Sequence, residues 1–224
     1  MLILLPPSEG KAQPAPAPPL DLDALAFPAE LNPVRARLLR ALARTQPLAA
    51  APAAPAAEVY TGVLYGRLDL PTIAEADDVL IASGLWGLVR PQDRIPLYKL
   101  PLDARVPRVR GTLSALWRAP VARALAPLDT PEELIVDCRS GGYAGVWRPQ
   151  HATLVAVRAF RIGPDGARQP ISHMAKASRG DVARALLTAG RPAATPAEVA
   201  DLARAAGLDV ELTDATLDVL ERQT

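Results

Sequence analysis

Four apolar runs punctuate this chain, and each ends in turn-forming residues. Leu2–Leu5 is stopped by Pro6-Pro7, Val79–Ala82 by Ser83-Gly84, Leu134–Asp137 leads into Ser140-Gly141-Gly142, and Leu154–Ile162 ends at Gly163-Pro164-Asp165-Gly166. Short apolar runs bounded by Pro and Gly predict buried strands. The last of these turns predicts a hairpin whose return strand begins at Pro170–Ser172.

Helical spacing separates the strands. Asn32-Pro33 predicts a helix start, with Asn32 as N-cap and Pro33 at the first helical position. Val34, Leu38, Leu39 and Leu42 then fall on one face, and Arg35, Arg37, Arg40 and Arg44 on the other. Thr112–Ala126 carries the stripe Leu113, Leu116, Val121, Leu125, with a kink expected at Pro120. Asp181–Ala189 and Pro196–Ala206 are also predicted helical. Thr195 caps the second, Glu198 takes the capping-box position and Gly207 closes it. Asp214–Glu221 predicts a last short helix. Two Ala/Pro stretches, Ala12–Pro19 and Leu48–Ala57, carry no packing pattern and predict extended surface connections. Mixed strand and helix order argues for an α/β (or α+β) fold: a single compact domain over residues 1–224, a mixed sheet flanked by helices.

Composition narrows the function classes. Half of the 224 residues are hydrophobic but few are aromatic, so Ala, Leu and Val must build the core. The formal net charge of +1 gives no global attraction to a polyanion. Local asymmetry is larger. Between Leu85 and Arg123, eight basic residues face only Asp93 and Asp103, a patch able to attract phosphate. Cys138 is the single cysteine, which excludes an intrachain disulfide and fits a reducing compartment. With two histidines besides, no standard transition-metal site is expected, and no cofactor motif is present. MLILLPP is too short for a signal-peptide core and no apolar run reaches membrane-spanning length, so a cytoplasmic protein without membrane contact is expected.

The candidate chemistry lies in loops that follow the strands. Ser8-Glu9-Gly10-Lys11 offers a hydroxyl, a carboxylate and an amine, and is not a P-loop. Glu58-Val59-Tyr60-Thr61-Gly62 adds two hydroxyls beside a glycine that lets a ligand approach. Ser83–Lys99 supplies Ser83, Arg90, Asp93, Arg94, Tyr98 and Lys99, with Arg90 as an anion clamp that Asp93 steadies. Asp137, Ser140 and Tyr143 follow the third strand; Arg139 beside Cys138 could lower its pKa, but a lone cysteine on a buried strand reads first as inert packing. A Cys138–His173 pair has no specific support. Lys176 and Arg179, three apart, share a helical face and need an anion or an acidic partner such as Asp181. The two loops are expected to meet, with Arg90, Asp93, Lys176 and Arg179 in one concave site at the C-terminal ends of the strands.

In chain order these motifs resemble the peroxide stress protein YaaA family over nearly the whole length. MLILLPPSEGK matches its opening strand and loop, VYTG its second motif, and SGLWGLVRPQDRIPLYKL its most recognisable stretch. Leu116-Trp117 matches its Trp-containing helix, Leu134–Tyr143 its strand-to-Tyr element, and Ala175–Gly180 its AKxxRG motif. The first loop reads Pro-Ser-Glu-Gly-Lys where some relatives carry Ser-Pro-Ala-Lys-Thr, so Ser8 and Lys11 do not carry over from it. The resemblance implies a cytosolic peroxide-response protein that limits unincorporated iron and Fenton damage. It also implies DNA binding through a helix-hairpin-helix-like element, to which Gly84–Gly87 is a loose match. Two readings stay open. One is a DNA-associated stress protein that contacts duplex phosphate, with little sequence preference, through Lys11, Arg90, Arg94, Lys99, Lys176 and Arg179. The other is an enzyme that clamps a phosphate- or nucleotide-like substrate with the same cations, with Asp93 or Tyr60 as acid/base.

Overall fold

Residues 1–164, 167–170 and 175–222 are described by a computed structural model of the chain. In chain order the elements are β1 (Leu2–Leu5), α1 (Pro28–Leu42), β2 (Ala53–Pro55), α2 (Ala56–Val59), α3 (Val63–Leu68), β3 (Val79–Ser83), β4 (Gly87–Val89) and β5 (Arg94–Pro96). They continue as α4 (Leu113–Leu125), β6 (Leu134–Asp137), α5 (Gly141–Ala144), β7 (Thr153–Ile162), β8 (Arg168–Pro170), α6 (Ala175–Leu187), α7 (Pro196–Ala205), β9 (Val210–Thr213) and β10 (Thr216–Arg222).

One mixed sheet organises the α/β domain, in the order β4-β3-β1-β6-β7-β10-β9. From β3 to β10 the neighbours run parallel, while β4 and β9 close the two edges antiparallel. Strand β1 is an interior strand: Ile3 pairs with Val79 on one side and Val136 on the other. Ile3, Leu4, Leu5, Ile81, Ile135 and Val136 are fully buried, as expected of parallel strands covered on both faces. Strand β7 is long enough to pair with β6 through its first half and with β8 beyond it. The hairpin expected there is present, but its return strand starts at Arg168, ahead of the expected Pro170–Ser172; residues 165, 166, Ile171 and Ser172 lie outside the described set. Helices α1 and α4 pack together over β4, while α6 lies on β7 with α3 and α7 against it.

Several expectations are corrected. The stretch 214–221 is not a helix: Thr216–Arg222 is a strand held between β7 and β9. Asp218 is buried there because Arg158 pairs with it bidentately at 2.8 and 2.9 Å, so a charged residue sits in the interior of the period-two pattern. Helix α1 starts at Pro28, after Phe27 in a left-handed conformation, and runs through Pro33. The amide that Pro33 lacks leaves only the exposed Ala29 carbonyl unpaired within the helix, so water can satisfy it. Asn32 does not cap; its amide donates to the Leu22 carbonyl and to Asp23. Arg35 is not on the solvent face. It is fully buried, donating to the carbonyls of Trp86 (2.9 Å) and Leu88 (2.7 Å) and to Asn32, and burial pulls its pKa down to about 10 against the charge of Asp93. The second Ala/Pro stretch is not merely surface, since Ala53 and Ala56 are fully buried and β2 pairs with β5.

Candidate functional site

The carboxyl ends of β1, β3 and β6 point to one edge of the sheet, and four loops meet there. After β1 the chain turns through Ser8–Lys11 and is sewn to the end of α2: Thr61 N–H donates to the Gly10 carbonyl and Ala12 N–H to that of Val59. Two glycines permit this approach. A Cβ on Gly62, at φ +100°, would stand 2.9 Å from the Ser8 hydroxyl, and one on Gly10 would stand 3.1 Å from the Thr61 hydroxyl. The juncture brings the hydroxyls of Ser8 and Thr61 to the backbone of Gly10, next to the half-buried Lys11.

The Lys11 amine donates to the Ser8 carbonyl at 2.6 Å and lies over two aromatic rings, 4.6 Å from the centre of Tyr98 and 5.6 Å from that of Tyr60. Its pKa falls to about 8 because burial disfavours the charge, although Glu9 acts in the opposite direction. Beneath it runs a hydroxyl chain. The Ser83 hydroxyl accepts from the amides of Leu85 and Trp86, so its proton is left for Tyr98 at 2.7 Å, and Tyr98 in turn meets Tyr60 at 2.7 Å. Either tyrosine can give the bond between them its proton, so the pair keeps one hydroxyl proton to offer. Tyr65 stacks on Tyr60 at 5.4 Å and donates to the Pro6 carbonyl. Tyr143 receives the Leu102 amide, and its pKa is pushed up to about 12, mainly by burial. Burial likewise raises Tyr60, Tyr65 and Tyr98, so all four hydroxyls stay protonated at neutral pH.

From the other side, Lys176 in the first turn of α6 reaches Glu9 at 3.6 Å. Arg179 turns toward β7, donating to the Val157 carbonyl at 3.2 Å. The helix is placed by the last residue of its motif: a Cβ on Gly180 would collide with the Leu64 carbonyl and approach Arg67 to 2.9 Å, so only glycine lets α6 lie against α3. His173 lies outside the described residues.

The remaining candidates do not join this cluster, some because they lie elsewhere and some because they are already paired. Strand β4 runs back antiparallel to β3, with Val89 opposite Ile81, so Arg90 emerges at the opposite end of the sheet from Ser83. Arg90 and Asp93 therefore do not join Lys176 and Arg179. Asp93 does not clamp the Arg90 guanidinium either; its carboxylate accepts the backbone amides of Arg90 and Ala26, each at 2.9 Å, and Arg90 lies over the Phe27 ring. Arg94 donates to the Ala53 carbonyl. Lys99 is exposed, its backbone tied to Gln46. Asp137 is consumed by a buried bidentate pair with Arg139, at 2.8 Å for both contacts, while Ser140 stands exposed before α5. Because Arg139 is spent in this way it does not activate Cys138, whose thiol burial pushes up to about 12. The Gly84–Gly87 segment is a buried β-hairpin turn rather than a helix-hairpin-helix. Its Leu85 and Trp86 amides are taken by Ser83, Gly84 makes room for the Leu100 carbonyl, and Gly87 (φ +73°) lies on the Trp117 ring.

One signal was missed in the motifs. The chain holds 22 arginines but only three lysines, Lys11, Lys99 and Lys176, and only four tyrosines. Two of the lysines and every tyrosine converge on this edge, and Lys99 follows Tyr98 directly. Two surface clefts, about 300 Å³ beside Ser178 and Glu221 and about 240 Å³ beside Gln46 and Leu97, contain no lysine or tyrosine.

Fold and site together define an α/β protein with a lysine–tyrosine cluster at the carboxyl edge of its parallel strands. The chain belongs to the peroxide stress protein YaaA family, whose sequence model matches residues 1–211. It is 38% identical over 247 residues to UPF0246 protein CE1889 of Corynebacterium efficiens, covering 98% of each chain. It is 36% identical over 242 residues to UPF0246 protein SCO2297 of Streptomyces coelicolor, covering 94% of this chain and 92% of the relative. No helix among the described residues is long and apolar enough to cross a membrane.

Proposed function

We propose that the protein serves the peroxide response of its family, in the cytoplasm, as an enzyme acting on a small phosphate- or nucleotide-like anion held between Lys11 and Lys176. The observation that carries this reading is the convergence of scarce amines and neutral tyrosine hydroxyls where parallel strands end, the usual ligand edge of an α/β sheet. Lys176 and Lys11 supply charge; Ser8, Thr61 and Tyr60 supply hydrogen bonds that orient the ligand. Among the described residues no three His, Cys, Asp or Glu side chains come together to hold a metal. Calorimetric titration with inorganic phosphate and with AMP tests the reading. Saturable binding that is weakened in Lys176→Ala, with the fold retained, supports it; no heat with either ligand refutes it.

A DNA-binding reading keeps one specific observation in its favour. Arg105, Arg108, Arg110, Arg118 and Arg123 are exposed, and none takes part in an ion pair among the described residues. Phosphate contacts from this stretch would give duplex binding that weakens with salt by a logarithmic slope of about −0.9 per phosphate neutralised. Affinity that does not change between low and moderate salt removes the reading.

A further inference from the structure

We propose that Lys11 is a nucleophilic amine that condenses with a small carbonyl compound bearing an anionic group, with Lys176 holding that group. The inference rests on the reading of this edge as a small-ligand site and adds the chemistry performed there.

Three observations carry it. The first is the choice of residue. Only lysine can give up its proton and become a nucleophile, whereas arginine never deprotonates. This chain uses arginine for 22 of its 25 strong cations, yet it places lysine at the site. The second is the setting of the amine. Lys11 has no carboxylate within ion-pair distance among the described residues: Glu9 is extended into solvent and pairs with Lys176, and the partners of Lys11 are a backbone carbonyl and two ring faces. The third is a neutral hydrogen-bond donor beside it, from the Ser83–Tyr98–Tyr60 chain, whose two tyrosines keep one hydroxyl proton to offer.

The step balances without an oxidant. The neutral amine adds to the carbonyl carbon, forming a C–N bond as the C=O π pair moves to oxygen. Both N–H protons then leave with that oxygen as water, and a C=N bond remains. A tyrosine hydroxyl that stays protonated can donate a hydrogen bond to the oxygen throughout. The charged and titratable groups that face the amine are Glu9 on its own loop, Tyr60 after α2, Tyr98 after β5, Tyr143 in α5, and Lys176 across Glu9. Burial dominates among them, so the free amine becomes abundant above pH about 8.

The experiment is reductive trapping of the full-length protein. It is incubated with pyruvate or, separately, with acetone in the presence of cyanoborohydride, and the three lysines and the N-terminal amine are then mapped by peptide mass spectrometry. The expected result is a single reduced pyruvate adduct on Lys11, formed at least tenfold faster than on Lys99, with a rate that rises through pH about 8. Lys176→Ala should slow the pyruvate reaction and leave that of acetone unchanged. Labelling of Lys11 no faster than of Lys99 with both carbonyls overturns the proposal. Phosphate titration of the same protein separates the two failures: phosphate bound without an adduct leaves the ligand site and removes the amine chemistry, whereas neither result removes both.

Discussion

Two cations, the half-buried Lys11 and the buried Arg139, show how differently one sheet edge treats charge. Arg139 is fully paired: its guanidinium grips Asp137 through two bonds and the Trp147 carbonyl through a third. Removing one partner of such a pair strands the other charge in the interior, so Arg139→Ala should destabilise by about 3–5 kcal/mol. Denaturant unfolding reads this directly, and Asp137→Asn combined with Arg139→Met should recover part of the loss. Lys11 has no such partner, and its folded-state pKa of about 8 lies below the ordinary 10.5. Below pH 8 both states are protonated and the folded state bears the whole desolvation cost. Between pH 8 and 10.5 the unfolded chain binds more protons, so this contribution to stability rises with pH. Lys11→Met should therefore gain most over the parent protein at pH 7, with the gain shrinking as pH rises to 9.5. A difference that grows with pH would show that the amine is not desolvated.

Elements carry the site only as well as they pack, and the contact that seats one helix here requires glycine. Helix α6 presents Lys176 because Gly180, one turn further on, lies against the Leu64 carbonyl of α3, and Arg67 clamps Asp181 at 2.7 and 3.0 Å beside it. Gly180→Ala forces the helices apart. A methyl group set against backbone cannot be absorbed by a rotamer change, so a loss of about 1–3 kcal/mol is expected in thermal or denaturant unfolding, accompanied by weaker phosphate binding. The sequence motif displayed this glycine without displaying its purpose, because a close helix contact leaves no local signature. Legibility elsewhere followed the same logic. Strands β1, β3 and β6 were readable because both their faces are buried and the apolar runs are unbroken. Strand β10 was not, because Asp218 breaks its run and is tolerated only through Arg158 from the neighbouring strand. Arg35 was hidden for a similar reason: its acceptors are backbone carbonyls 51 and 53 residues away.

At the scale of the whole molecule, the direction of one short strand decides which charges can cooperate. Loops after β1, β3 and β6 share an edge, so the motifs that follow them meet. The loop after β4 does not, since β4 is antiparallel and returns Arg90 to a level near Leu80, about three residues or roughly 10 Å below Ser83 along the strand. Spacing in the sequence gives no hint of this reversal, because a tight hairpin and a continuing chain both read as small residues between apolar ones. The consequence can be measured as non-cooperation. Arg90→Ala should leave the binding of phosphate and the trapping of pyruvate unchanged, because its guanidinium lies over Phe27 at the other end of the sheet. Lys176→Ala should weaken both. In the double variant the two effects should add within about 0.3–0.5 kcal/mol, as they do for sites without shared partners. A coupling energy above about 1 kcal/mol in that cycle would mean that Arg90 and Lys176 hold one ligand between them, which this sheet topology does not permit.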